Sequence, residues 1–233
     1  VAPVVAEVGW SAKPGEAPPV AVLRNKAILA LGLWGDPAVI GEARRRFTKF
    51  EHDRASLTPD QQETVLSIVA AYADAAVFDR LYKVARSAGN VDEVRRYYGA
   101  LVTVHDPKLA ALALRAVMGD ALPPQAQMEK SRLVFDAAKT NPAISWSAFK
   151  SYEPEMLRFA SASDLAVYLT GALFDVYGDS IPPSELLGWI RTHFPPDAAP
   201  YIKKGLSRAR SAHTERARLV AELNAELSRT SRN

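Results

Sequence analysis

The chain has no cysteine among its 233 residues. This absence excludes disulfide bonds and thiolate metal sites, but it leaves the cellular compartment open, because exported proteins can also lack cysteine. Long uninterrupted apolar runs are missing too, so the sequence predicts no membrane span and shows no signal peptide. No segment alternates apolar and polar residues as an exposed strand would. With 48% hydrophobic residues, the chain is predicted to be globular and helical.

Common catalytic motifs are also missing, namely H-E-x-x-H, G-x-S-x-G and G-x-G-x-x-G. The histidines stand at least 20 residues apart, which predicts turn or surface positions rather than a zinc site; they are His52, His105, His193 and His213. Glu153 and Glu155 flank Pro154, where we predict a solvated loop rather than an acid–base pair. The sequence therefore predicts no catalytic residue, no metal ligand and no cofactor in this chain.

The net charge of +3 is unevenly distributed along the chain. Residues 201–233 carry eight Lys or Arg and three Glu, a balance of +5, which leaves −2 for residues 1–200. No aromatic residue stands among the arginines between Arg208 and Arg218, and Glu222 and Glu226 interrupt the positive run. Because stacking aromatics are missing, we interpret this region as a solvated helix face and predict no nucleic-acid partner.

One short phrase returns four times at steps of 38, 32 and 35 residues: Asp36-Pro37, Asp74-Ala75, Asp106-Pro107 and Asn141-Pro142. An Asp or Asn at this position accepts hydrogen bonds from the free N–H groups of the next helix. Proline suits the first helical position and disfavours helical geometry in the residue before it. Each phrase therefore predicts the end of one helix and the start of another.

Apolar residues at helical spacing flank these breaks. The stripe before the first break comprises Leu23, Ala27, Ile28, Leu31 and Trp34. A capping box at Thr58-Pro59-Asp60-Gln61 and a similar start at Asn90-Val91-Asp92-Glu93 predict further helices. The repeated pattern predicts an all-α fold, an α-solenoid of antiparallel helix pairs of the HEAT or armadillo kind. Residues 1–22 are predicted to be a linker or edge segment, and residues 23–233 the helical-repeat domain.

Several aromatic residues recur at helical spacing, and we interpret them as core rather than as ligand contacts. They are Tyr97, Tyr98, Trp146, Phe149 and Tyr152. The residues alone thus leave two classes of function open. The chain either binds something by itself or completes a site that is housed elsewhere.

A set of ordered phrases resembles the C-terminal helical domain of the gluzincin aminopeptidases, the relatives of aminopeptidase N and the puromycin-sensitive and endoplasmic-reticulum enzymes. The phrases are Val8-Gly9-Trp10, Gly15-Glu16, Leu23-Arg24, Gly35-Asp36, Glu42-Ala43-Arg44-Arg45-Arg46-Phe47, Leu57-Thr58-Pro59-Asp60, His105-Asp106-Pro107 and Trp146-Ser147-Ala148-Phe149-Lys150. Together they span about residues 8–227.

The resemblance implies a non-catalytic domain that closes over an upstream zinc-dependent catalytic domain and encloses a peptide substrate. It implies zinc in that missing domain, and none of the zinc-ligand motifs occurs here. Because the chain does not begin with Met, we expect it to be part of a longer protein. The alternative is a free-standing helical-repeat scaffold that binds a protein partner.

If the chain encloses a peptide, cations in the middle repeats are candidates to bind the distal carboxylate. Arg95, Arg96, Arg132 and Lys150 occupy such places, although each is individually more typical of a solvated helix face. The sequence therefore leaves the substrate-binding residues unknown. It also leaves open the cleaved-residue preference, the compartment and the oligomeric state.

Overall fold

A computed structural model describes residues 1–156, 170, 172–194 and 196–230. Every regular element in these residues is helical, which confirms the all-α prediction. The α-helices are α1 (Ala2–Val8), α2 (Pro18–Leu33), α3 (Pro37–His52), α4 (Pro59–Ala71), α5 (Ala75–Arg86), α6 (Val91–Val102), α7 (Pro107–Met118), α8 (Lys130–Ala137), α9 (Pro142–Met156), α10 (Pro183–His193) and α11 (Ala199–Thr230). Residues 172–177 are also helical, and a 3-10 turn over Pro124–Glu129 precedes α8.

The four predicted breaks separate successive helices. The Asp36 side chain accepts hydrogen bonds from the backbone N–H groups two and three residues on, both at 3.0 Å. Asp106 does the same at 2.7 and 3.1 Å, and Asp74 accepts from the N–H three residues on at 2.8 Å. Helix α9 begins directly after Asn141. The structure therefore confirms the four breaks. The sequence could predict them because a helix cap depends on neighbouring residues alone.

Two further helix starts are also confirmed. Thr58 and Gln61 form a full capping box, in which each side chain bonds to the other residue's backbone N–H. The Asn90 side chain accepts from the Glu93 N–H at 2.9 Å, while the Glu93 carboxylate accepts from the Gly89 N–H at 2.7 Å. This second start therefore differs from a capping box in one bond, because the Glu93 side chain reaches one residue further back.

The chain divides into two compact units, residues 1–148 and 149–233. In the first unit α2 packs on α4, α4 on α6 and α6 on α8, so these four helices form one row. Helices α3, α5 and α7 pack against successive members of that row. The aromatic residues interpreted as core are buried, namely Tyr97, Tyr98, Trp146, Phe149 and Tyr152. The predicted division at residue 22 stays a prediction.

The apolar stripe assigned to α2 is only partly buried. Ala27 and Ile28 are buried, whereas Leu23 is 50% exposed and Trp34 is 73% exposed. Helix α2 begins the row, and α1, which packs on it, is only 7 residues long. Periodicity shows which residues share a face of a helix, but the neighbouring helices decide how much of that face is covered.

Arg24, which is 3% exposed, holds the N-terminal segment to the rest of the first unit. Arg24 donates from Nε to the Val8 carbonyl at 3.1 Å and forms an ion pair with Glu16. The guanidinium of Arg46 sits 4.9 Å from the ring of Trp10. One buried arginine therefore brings together three phrases that are separate in the sequence: Val8-Gly9-Trp10, Gly15-Glu16 and Leu23-Arg24.

The loop predicted at Glu153 and Glu155 is wrong, because both residues fall within α9. Proline fixes φ near its helical value, so its main cost inside a helix is one lost backbone hydrogen bond and crowding of the preceding turn. Pro154 lies within α9, so the helix accommodates that cost.

The second unit contains helical residues 172–177, α10 and α11 in its described part. Phe149 packs on Trp189 with ring centroids 5.1 Å apart, and Leu173, Tyr177, Leu186 and Ile190 are fully buried. No described helix combines the length and the apolar character that crossing a membrane requires.

Candidate functional site

The row formed by α2, α4, α6 and α8 carries a groove on its surface. It consists of two adjoining cavities of about 390 and 220 Å³, which share Glu63, Arg95, Arg96 and Arg132. We call this surface the arginine groove. On α6 the groove residues recur at helical spacing, at positions 92, 95, 96, 99 and 100, while Val94, Tyr97, Tyr98 and Leu101 point into the core. The amphipathic pattern of α6 thus places both arginines at the groove.

A line of alternating charges follows the groove from α6 to α8. Its members are Asp92, Arg95, Glu129, Arg132, Asp136 and Lys139, with successive N–O distances of 3.6, 2.7, 3.7, 3.7 and 2.7 Å. The side chains of Arg95 and Arg132 are 46% and 52% exposed, so these pairs contribute little to stability. Their effect is to hold the two guanidinium groups in defined positions.

Glu129 is the buried member of this line, at 8% exposed. The hydrogen bond from Arg95 lowers the pKa of the Glu129 carboxyl, outweighing the opposing effect of burial. The same contact raises the pKa of Arg95. Glu129 therefore stays ionised and holds an arginine from α6 beside one from α8.

Arg96 differs from its neighbours because its side chain bonds to a neutral amide rather than to a carboxylate. Its Nε donates to Oε1 of Gln62 at 3.2 Å, and its guanidinium lies 6.0 Å from the Tyr97 ring. Gln62 is buried and also accepts from the Tyr97 hydroxyl at 3.3 Å. In the described part of the chain no carboxylate lies within 4.0 Å of Arg96. A half-buried guanidinium held by a neutral partner keeps its capacity to bind an anion.

The lining of the arginine groove also includes two apolar side chains from α2, Leu29 and Leu33. His105 also lines it and packs against the Tyr72 ring with centroids 5.8 Å apart. The Tyr72 hydroxyl donates to the Leu33 carbonyl at 3.0 Å, which fixes the break after α2 beside the break after α4. The groove therefore combines cations and carboxylates with apolar surface from α2.

The structure brings together three of the four cations considered from the sequence. Arg95, Arg96 and Arg132 share the arginine groove, whereas Lys150 lies in the second unit, 3.1 Å from Glu185. Sequence reasoning missed Gln62 and Glu129, which position these arginines. A signal was available, because Gln62–Arg96 and Arg95–Glu129 are both separated by 34 residues, about one repeat.

The histidines are dispersed, as their spacing predicts. His52 and His105 lie exposed at breaks, His193 ends α10, and His213 on α11 lies 3.3 Å from Asp179. Among the described residues no three His, Asp or Glu side chains form a group that could hold a metal ion.

Comparison with known proteins identifies the family. A model of the ERAP1-like C-terminal domain matches residues 1–211. Aminopeptidase M1-C of Oryza sativa subsp. japonica is 26% identical over 212 residues, which cover 88% of this chain and 24% of that protein. Aminopeptidase M1 of Arabidopsis thaliana is 31% identical over 119 residues, 49% of this chain and 14% of that protein. The chain spans about a quarter of the length of Aminopeptidase M1-C. In agreement with its ordered motifs and its all-α fold, this chain belongs to the ERAP1-like C-terminal domain family.

Proposed function

We propose that this chain is the C-terminal domain of a zinc-dependent aminopeptidase and closes over the catalytic domain to enclose the peptide substrate. Its curated relatives are named aminopeptidases, and the matched region is 24% of Aminopeptidase M1-C, which supports a catalytic part outside this chain. A stack of helix pairs offers an extended surface suited to a long ligand. Enclosure would keep folded proteins away from the reacting bond.

In this proposal zinc belongs to the catalytic domain of the parent protein. Cysteine is absent, and the described residues contain no group of metal-ligating side chains. The residues that the structure describes therefore do not fit a zinc site. Its contribution is to bind and position the part of the peptide that lies away from the cleaved bond.

The arginine groove is the proposed contact for the carboxyl end of the peptide. Arg96 is the observation that carries the proposal, because its guanidinium bonds to a neutral amide and no described carboxylate lies within 4.0 Å of it, although Glu63 also lines the groove. A peptide carboxylate could accept a paired hydrogen bond from this guanidinium. Arg95 and Arg132, held by Glu129, lie beside it and would offer further hydrogen-bond donors.

Substitution of Arg96 by Ala in the full-length parent tests this contact. With a peptide of about ten residues, kcat/KM should fall roughly tenfold, which is about 1.4 kcal/mol of lost binding. A dipeptide-like substrate should be unaffected, because it cannot reach the groove. Amidating the carboxyl end of the long peptide should lower kcat/KM for the unmodified parent protein. The same amidation should lower kcat/KM little further in the Arg96→Ala variant.

Lys108→Ala provides the matched control, because Lys108 is an exposed cation at the start of α7, away from the groove. It should leave both substrates unchanged. Equal losses on short and long substrates, or additive effects of amidation and Arg96→Ala, would reject the carboxylate contact.

The free-standing scaffold remains the alternative function. The coding sequence upstream of Val1 separates the two. A parent aminopeptidase requires H-E-x-x-H followed about twenty residues later by Glu. A gene without these motifs would favour the scaffold.

A further inference from the structure

A second groove lies in the unit formed by residues 149–233, and the proposed function makes no use of it. It runs between α10 and α11 as two adjoining cavities of about 810 and 600 Å³. The cavities share Leu187, Leu206 and Arg210. We call this surface the basic groove and define it by Leu187, Arg191, Phe194, Lys203, Leu206 and Arg210.

The floor of the basic groove is apolar. Leu187 and Leu206 are half-buried, and Phe194 is buried with its ring 5.8 Å from the ring of Trp189. Apolar side chains that line an open cavity gain free energy when a ligand removes them from water. The floor therefore favours a ligand with apolar side chains.

The rim carries three exposed cations, Arg191, Lys203 and Arg210. None of them lies within 4.0 Å of a carboxylate in the described residues, whereas Arg208 on the same helix pairs with Asp175 at 3.4 Å. Arg216, further along α11, pairs with Asp179. The rim cations without a carboxylate within 4.0 Å are thus those that surround the apolar floor, and they outnumber Asp179, which also lines the groove. This excess of positive charge is complementary to an acidic ligand.

The length of the groove indicates the form of that ligand. Its lining on α11 runs from Ala199 to Thr214, which at 1.5 Å per residue is about 22 Å. This length accommodates about four turns of a helix. An amphipathic helix can place one apolar face on such a floor and direct the side chains beside that face toward the rim.

We propose that the basic groove binds an acidic amphipathic helix of a partner protein, independently of any role of the arginine groove. A flat lipid surface cannot follow a groove, and no exposed Phe, Tyr or Trp side chain lines it for base stacking in the described residues. A second copy of this chain would bring another basic α11, since residues 201–233 carry +5, so like-charge repulsion opposes that occupant.

The test uses the whole 233-residue chain and a fluorescein-labelled synthetic peptide of about four helical turns. The peptide carries Leu at positions i, i+3, i+4 and i+7 of one face and Glu beside that face. Fluorescence anisotropy should show saturable binding that weakens with added salt. A peptide with Lys in place of Glu should bind at least about tenfold more weakly, as should one interrupted by proline.

Lys203→Glu and Arg210→Glu should each weaken binding at least about fivefold. Lys204→Glu is the matched control, because Lys204 is exposed and adjacent to Lys203 but does not line the groove. It should change binding less than about twofold. Circular dichroism melts verify that the three variants, Lys203→Glu, Arg210→Glu and Lys204→Glu, remain folded.

Several outcomes would overturn the proposal. They are the absence of saturable binding up to about 100 μM peptide, equal weakening by Lys204→Glu, and equal binding of the proline-interrupted peptide. Sedimentation showing a dimer that Arg210→Glu dissociates would instead assign the groove to a second copy of the chain.

Discussion

Glu129 holds two arginines of the arginine groove with one buried carboxylate. Its oxygens lie 2.7 Å from Nη2 of Arg95 and 3.7 Å from Nη1 of Arg132. Removing one partner of such a contact leaves a buried charge without compensation, which costs more than the intact pair contributes. At the residue scale, the positions of these arginines therefore depend on a side chain that belongs to neither of their helices.

The pKa of Glu129 predicts a pH dependence of stability. The contact with Arg95 lowers the folded-state pKa below the ordinary carboxyl value of about 4.3. Its stabilisation is therefore present above that value and is lost as the pH falls through the folded-state pKa. Thermal melts should show a shallower loss of stability below about pH 4.5 in Glu129→Gln than in the unmodified chain.

Arg95→Met offers an independent comparison, because it removes the hydrogen bond that is the largest cause of the shift. It should flatten the acid limb of the stability profile in the same way as Glu129→Gln. An equal loss of stability with falling pH in the unmodified chain, Glu129→Gln and Arg95→Met would contradict this account of Glu129.

At the scale of elements, α2 and α4 approach each other closely at Gly32. A Cβ built at Gly32 would lie 2.5 Å from both Cδ1 and Cγ1 of Ile68. Both residues are buried. The glycine therefore permits a helix contact that a larger residue would obstruct, although glycine by itself disfavours a helix by about 1 kcal/mol relative to alanine.

Gly32→Ala should destabilise the chain by about 1–3 kcal/mol, because overpacking outweighs the gain in helix propensity. Denaturant melts of Gly32→Ala, Ile68→Ala and the double variant measure the coupling. The double variant should cost less than the sum of the single changes, since the truncated Ile68 leaves room for the new methyl group.

Gly41 provides the control for this prediction. It is exposed within α3, and a Cβ there would meet nothing within 4 Å. Gly41→Ala should therefore stabilise the chain by up to about 1 kcal/mol. Stabilisation by Gly32→Ala as well would show that α2 and α4 are not closely packed at this point.

At the scale of the whole molecule, the two compact units carry different surfaces. Residues 1–148 contain the arginine groove, and residues 149–233 contain the basic groove. In the first groove most cations are paired with carboxylates, whereas the rim cations of the second are not. The two surfaces are therefore suited to different ligands, and each can be altered without changing the other.

The isolated chain should hold no stoichiometric zinc after dialysis and should cleave no peptide. Its histidines are dispersed, and its described residues contain no group of metal-ligating side chains. Elemental analysis and an aminopeptidase assay of the purified chain measure both properties. One zinc per chain together with chelator-sensitive activity would contradict the assignment of chemistry to a separate domain.

The sequence left the substrate-binding residues unknown. Their places in the middle repeats made Arg95, Arg96 and Arg132 candidates, but the same reasoning also named Lys150, which lies in the other unit. The sequence did not distinguish the cations that pair with carboxylates from Arg96, which donates a hydrogen bond to the neutral side chain of Gln62. The partners of these arginines lie one repeat away, and periodicity within a single helix contains no information about that distance.

The sequence by itself determined the helices and their ends. Asp36, Asp74 and Asp106 mark breaks because a cap depends on residues two or three positions away, and the all-α class follows from the periodicity between the breaks. Only the tertiary structure decided which faces are covered. Trp34 is exposed and Glu129 joins α6 to α8, because each outcome depends on which helix packs against which. Local hydrogen bonding is therefore visible in the sequence, whereas burial and charge pairing arise from contacts between distant segments.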